Sequence, residues 1–158
     1  MLNRSGAKDR LKKLKQWLTE LRISLFGVTN NNLKKIGNQG EQIASTYLKK
    51  NGYQIVARNV RYGRDELDIL SITPDGGTLA IIEVRSTASS HGNPESTVTK
   101  KKRRSMYRVA NQVQREAQRH NCILRVDLLT VRLHNQKPKI RHYKAILPFK
   151  QRKKTTLF

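Results

Sequence analysis

The sequence predicts an α/β sandwich around a mixed sheet, on three observations. Helical and strand-like stretches follow one another in the order helix, three strands, helix, two strands, which sets helices against the faces of a sheet. A length of 158 residues suits one domain better than two separate cores. Hydrophobic residues, at 36%, are few but enough for one modest core.

The first 32 residues stand apart as an extension. Leu11, Leu14, Leu18, Leu21 and Leu25 alternate spacings of three and four, the mark of one face of an amphipathic helix. Lys12, Lys13, Lys15 and Arg22 lie off that register, and Trp17 adjoins it. Such a helix docks on its own domain or on a protein partner, or lies on an anionic membrane. Thr29-Asn30-Asn31-Asn32 breaks the pattern as a linker. A second helix starts near Leu33 or Gly37 and stops at Asn51-Gly52, burying Ile36, Ile43, Ala44, Tyr47 and Leu48.

Strands are expected at Tyr53 to Val60, Glu66 to Ile72 and Thr78 to Arg85. The turn Pro74-Asp75-Gly76-Gly77 joins the last two into a hairpin. Ser86 to Pro94 reads as a polar loop. A long helix follows from Glu95 to His120, with Met106, Val109, Ala110, Val113 and Ala117 inward and Glu95 placed to favour the helix dipole. Two further strands, Cys122 to Leu133 and Lys139 to Leu147, flank the turn His134 to Pro138. The tail from Pro148 to Phe158 is basic and reads as mobile. The domain proper is therefore residues 33–147.

Charge narrows the function. Thirty-three Lys and Arg against 11 Asp and Glu give a formal +22, far beyond what solubility asks. Nucleic acid is the commonest polyanion for such a surface, with an anionic membrane next. A single cysteine, Cys122, excludes an internal disulfide or a four-thiolate zinc site. The longest aliphatic run, Leu79-Ala80-Ile81-Ile82, is too short to cross a bilayer, and the N-terminus lacks a secretory h-region. The expected location is the cytoplasm. His91, His120, His134 and His142 have no metal-ligand spacing, and the five tyrosines are too dispersed for a base-stacking platform.

The scarce acids gather. Asp65, Glu66, Asp68, Asp75 and Glu83 are five of the eleven, and Asp75 belongs to the turn. Glu66 and Asp68 project from one face of a strand, Glu83 and Arg85 repeat that relation on the next, and a hairpin brings Asp68 beside Glu83. On spacing alone two readings stand. Paired carboxylates suit Mg²⁺ or Mn²⁺ and metal-assisted attack of water on a phosphodiester, with a nearby cation steadying the developing charge. The other reading, which spacing alone favours, is that they form salt bridges with the abundant Lys and Arg.

Several ordered blocks then resemble the YraN family of bacterial proteins. They are Ile36-Gly37-Asn38-Gln39-Gly40-Glu41-Gln42-Ile43-Ala44, Tyr47-Leu48, Asn51-Gly52-Tyr53, Arg58-Asn59, Glu66-Leu67-Asp68-Ile69-Leu70 and Ile82-Glu83-Val84-Arg85. Gly92, Val98-Thr99, Lys102, Ala110 and Arg125-Val126-Asp127 continue the pattern to the end of the domain. The resemblance implies a restriction-endonuclease-like fold, akin to Holliday-junction resolvases, whose nucleases use an acid, then Asp, then Glu-X-Lys. Carried over by position, it implies Glu41, Asp68, Glu83 and the Val84 carbonyl as metal ligands, with Glu66 beside them. Asp68, Glu83 and Arg85 become the catalytic set, with Mg²⁺ or Mn²⁺ as cofactor. Arg85 stands where those nucleases have lysine, and arginine stays protonated and cannot act as a base. Asp65 replaces the family's glycine.

Lys100, Lys101, Lys102, Arg103, Arg104 and Arg108 give the long helix six cations and no acid over nine positions, the expected phosphate-contacting face. The function expected is a nucleic-acid-binding, metal-dependent endonuclease acting on DNA rather than RNA, with a homodimer suggested by the junction enzymes. The alternative is a catalytically inactive nucleic-acid-binding module on the same fold. A third reading places the activity in the Leu11-to-Leu25 helix, as a partner- or membrane-binding element.

Overall fold

A computed structural model of the chain describes residues 39–89, 91–119, 122–133 and 137–148, together with Gln16, Thr19 and Glu20. Those three are helical, and the Gln16 amide donates to Glu20 (3.0 Å). The leucine stripe, the asparagine linker, Ile36, His120, His134 and all of the tail beyond Pro148 lie outside the described residues.

Helix α1 (Gln39–Lys50) places Glu41 in its first turn and Lys49 and Lys50 in its last, each sign matching the helix dipole. It stops where expected. Gly52 takes φ +79, which favours glycine, while the Tyr53 N–H returns to the Leu48 carbonyl. Strands β1 (Gln54–Tyr62), β2 (Asp65–Ile72) and β3 (Thr78–Thr87) form an antiparallel meander. In the β2–β3 turn Gly76 sits at φ +74, and the Asp75 carboxylate accepts from the Gly77 N–H (3.0 Å) and the Thr73 hydroxyl.

The crossover departs from a single helix starting at Glu95. A 3₁₀ turn (Pro94–Thr97) precedes α2 (Lys100–Arg119), and Thr99 caps α2 by accepting the Lys102 N–H on its hydroxyl. Glu95 is consequently not a helix-dipole residue. Arg132 donates to the Gly92 carbonyl (2.7 Å), and a Cβ at Gly92 would lie 2.7 Å from the Thr87 hydroxyl, so only glycine fits that loop. Strand β4 (Ile123–Arg132) pairs parallel to β3. Strand β5 (Lys139–Tyr143) pairs antiparallel to β4 and ends short of the expected Leu147. There Ala145 turns to φ +56, its N–H goes to Asp127, and Leu147 drops into the core.

The five strands lie in the order β1-β2-β3-β4-β5 as one mixed sheet with a helix on each face. This is the α/β architecture expected of the restriction-endonuclease-like fold. All five residues expected on the inner face of α2 are buried, against Leu70, Ile72, Leu79, Ile81, Leu124 and Val126. On the opposite face α1 buries Ala44 and Leu48 against Ile69, Ala80, Ile82, Leu129 and Val131. Because β3 and β4 are covered on both sides, each carries apolar residues on both faces, Leu79 and Ile81 toward α2 and Ala80 and Ile82 toward α1 in β3. No described helix is long and apolar enough to cross a membrane.

Candidate active site

The β2–β3 ladder runs from Ile72↔Leu79 to Ile69↔Ile82 and stops there. The next pair in register is Asp68 and Glu83, on the α2 face, where successive residues of each strand alternate sides. Asp68 takes over the ladder's work, its carboxylate accepting the Val84 N–H (2.8 Å). Two acids that a hairpin was expected to bring together thus sit side by side where the strands part.

Glu83 is 4% exposed and fully engaged. Arg85 Nη2 meets one carboxylate oxygen and Lys102 Nζ the other, each at 2.9 Å. Those contacts favour the charged form, yet burial and the neighbouring Asp68 carboxylate outweigh them and push Glu83 up to about 7. Burial likewise raises Asp68, against the Val84 N–H, Lys102 and Arg85. Glu41, at the start of α1, is also raised by burial, with Asn59 bonding to it and Asp68 repelling it. Its Oε2 is buried without a partner, as is Arg85 Nε. Glu66 is exposed on the same strand as Asp68 and adds to the repulsion on both Asp68 and Glu41.

Among the described residues no three His, Cys, Asp or Glu groups converge closely enough to hold an ion unaided. Mg²⁺ does not require three, since it is usually held by one or two carboxylates, waters and a substrate phosphate. Repelling carboxylates, the adjacent Val84 carbonyl and the unpartnered Glu41 oxygen are the donor chemistry that a hard dication takes. The residues therefore fit a divalent ion that is completed by substrate.

The basic helix divides by direction. Lys100, Lys101, Arg103 and Arg104 are exposed, whereas Lys102 turns in to Glu83. Arg108 grips Asp65 with two bonds (2.8 and 2.6 Å), and the Ser105 hydroxyl donates to the same carboxylate. The Arg108 bond, against some burial, holds Asp65 down at about 2. Asp65 therefore pins the start of β2 to α2. A third acid is tied up nearby. Although burial opposes it, Tyr143 (2.7 Å), Thr130 and Arg141 hold Glu95 below the usual carboxylate range.

Sequence reasoning missed the polar centre of the α1 face. Asp127 is 0% exposed and accepts from Arg125 Nε and Nη2 (2.8 and 2.9 Å) and the Ala145 N–H (3.0 Å). His142 Nε2 contacts it at 2.9 Å, and the Tyr53 hydroxyl accepts from Arg125. Tyr47 packs edge-on against the His142 ring. His142 is thus a structural histidine. Cys122, just before β4, is half-buried and its thiol is raised by that burial.

Residues 40–131 match the model of a family described as "Uncharacterised protein family UPF0102". A UPF0102 protein of Chlorobium chlorochromatii is 37% identical over 66% of this chain and 79% of its own length. One from Geobacter metallireducens is 33% identical over 69% and 88%. Another, from Carboxydothermus hydrogenoformans, is 32% identical over 75% and 99%.

Proposed function

The chain belongs to the uncharacterised protein family UPF0102, and we propose that it binds nucleic acid and hydrolyses phosphodiesters at the Asp68–Glu83 pair. The observation that carries this reading is the pair itself: two carboxylates in adjacent register positions, both raised by burial, beside a helix whose exposed cations await an anion. Such a pair is the chemistry that a divalent ion bridges. Mg²⁺ or Mn²⁺, held by Asp68, Glu83 and the Val84 carbonyl with Glu41 beside them, would polarise the phosphate and acidify a water. Arg85 steadies negative charge on the phosphate and, being permanently protonated, takes no proton from the water. DNA is the expected substrate. The charged surface of α2 positions its backbone without reading sequence.

The test is incubation of the protein with labelled duplex, single-stranded and four-way-junction DNA in Mg²⁺, Mn²⁺ or EDTA. Asp68→Ala/Glu83→Ala runs alongside. Metal-dependent cutting is expected from the wild type and none from the variant. Cutting that survives in the variant would come from another nuclease and defeat the proposal.

One feature favours a second reading, a binding module without turnover: both Glu83 oxygens already carry a cation. It predicts binding with no cleavage in any metal. Under either reading, Lys101→Glu/Arg104→Glu is expected to weaken binding about tenfold or more at 0.15 M salt, alike for all sequences, and to flatten the salt dependence. Unchanged affinity in a filter-binding or anisotropy titration would remove α2 from the interface.

A further inference from the structure

Glu83 has two counter-ions, and they arrive from different elements. Arg85 lies two residues on in β3, while Lys102 reaches over from the first turn of α2. Both also act on Asp68. Against the Asp68 and Glu83 carboxylates the free protein already sets two positive charges, with Glu41 and Glu66 as the outlying acids. A dication added to that set brings two positive charges into a place where Glu83 is 4% exposed and water screens poorly. It must also compete for Glu83, each of whose oxygens already meets a cation at 2.9 Å.

Nucleic acid removes both obstacles. A backbone lying over Lys100, Lys101, Arg103 and Arg104 brings phosphate charge and acceptor oxygens to the same edge. The side chains of Lys102 and Arg85 are 20% and 30% exposed, so each has a way out to it. Lys102 ends a flexible four-carbon stem and moves easily. Arg85 Nε, buried without a partner, is one more donor for a phosphate. Resting on the metal site proposed above, we propose that Lys102 and Arg85 are exchangeable counter-ions, holding Glu83 in the free protein and passing to backbone phosphates as nucleic acid and divalent ion load together. Each ligand then strengthens the other by the same factor. Without nucleic acid the protein then holds the ion weakly and stays inactive until substrate is seated.

Mn²⁺ binding, followed through the EPR signal of the free ion, tests this with the full chain alone and saturated with a hydrolysis-resistant phosphorothioate duplex. Mn²⁺ is expected to bind at least tenfold more tightly with the duplex, about 1.4 kcal/mol of coupling. Lys102→Gln keeps polarity and loses charge, so it should tighten Mn²⁺ binding to the free protein and shrink the coupling. Lys102→Arg should retain the coupling, and thermal melts confirm that both variants fold. Asp68→Asn/Glu83→Gln with the same duplex subtracts ions condensed on the nucleic acid. Equal Mn²⁺ affinity with and without duplex overturns the exchange but leaves the metal site standing. Coupling undiminished in Lys102→Gln also overturns it. Wild type binding no more Mn²⁺ than the double variant in either condition overturns the metal site itself, and the exchange with it.

Discussion

Glu83→Gln is expected to lower metal-dependent cleavage at least about a hundredfold and, at pH 8, to make the free protein more stable than wild type. The two effects share one cause. Burial and Asp68 lift the Glu83 carboxyl from 4.5 to about 7. Below pH 4.5 the side chain is protonated whether the chain is folded or not, so glutamine and glutamic acid are nearly equivalent. Between 4.5 and 7 the unfolded chain has released that proton and the folded one keeps it, so this group's contribution to stability falls as pH rises. Above 7 the penalty is complete and on the order of 3 kcal/mol. Glutamine escapes it. The melting temperature of the variant should therefore match wild type near pH 4.5 and exceed it by about 4–10 °C at pH 8. A variant less stable than wild type at pH 8 would mean that the Arg85 and Lys102 contacts outweigh burial. At subsaturating Mg²⁺, cleavage by the wild type should in turn decline below pH 7, as protons compete with the ion for Glu83.

Asp127→Ala is expected to cost about 3–5 kcal/mol, the range for removing one partner of a buried charge pair. Arg125, His142 and the Ala145 N–H would all lose their acceptor, and Arg125 would keep a charge largely out of water. The melting temperature should fall by about 10–20 °C. Although burial pushes Asp127 up, the bonds from His142, Arg125 and Ala145 hold its carboxyl below 3.8. Its contribution is thus present above pH 3.8 and is lost as pH falls through the lower folded value. Asp127→Asn, which keeps an acceptor, should lose less. An unfolding free energy from urea titration of Asp127→Ala within about 1 kcal/mol of wild type would show that apolar contacts alone hold that face.

The parts of the fold legible in the sequence were those written locally. The spacing of Met106, Val109, Ala110, Val113 and Ala117 has one explanation, a buried helical face, and all five are buried. Pro74 to Gly77 dictates a tight turn, and a tight turn dictates the register that leaves Asp68 opposite Glu83. The start of α2 was misplaced because Pro94 and Glu95 are good first-turn residues for a 3₁₀ turn as well as for an α-helix. Thr99 held the better signal, a capping hydroxyl just before the first helical residue. Contacts between distant residues left no trace. Among 33 basic residues nothing marks Lys102 as the partner of Glu83, or Arg108 as that of Asp65. Arg125 and Asp127, two apart on one strand, hinted at a pair. His142 and Ala145 came to it only through the fold.

The parallel pairing of β3 with β4 also bears on the order in which the chain assembles. Asp68 and Glu83 meet through a hairpin with a four-residue turn, an event of microseconds. Lys102 arrives only when α2 has formed and packed, and β4 only after that crossover is complete. During synthesis the acids are therefore adjacent with only Arg85 of β3 beside them before Lys102 is in place, and the ribosome has yet to release the strand that covers β3. The docking of α2 is then favoured by charge as well as by its apolar face. A neutral residue at Lys102 should slow refolding as well as alter binding.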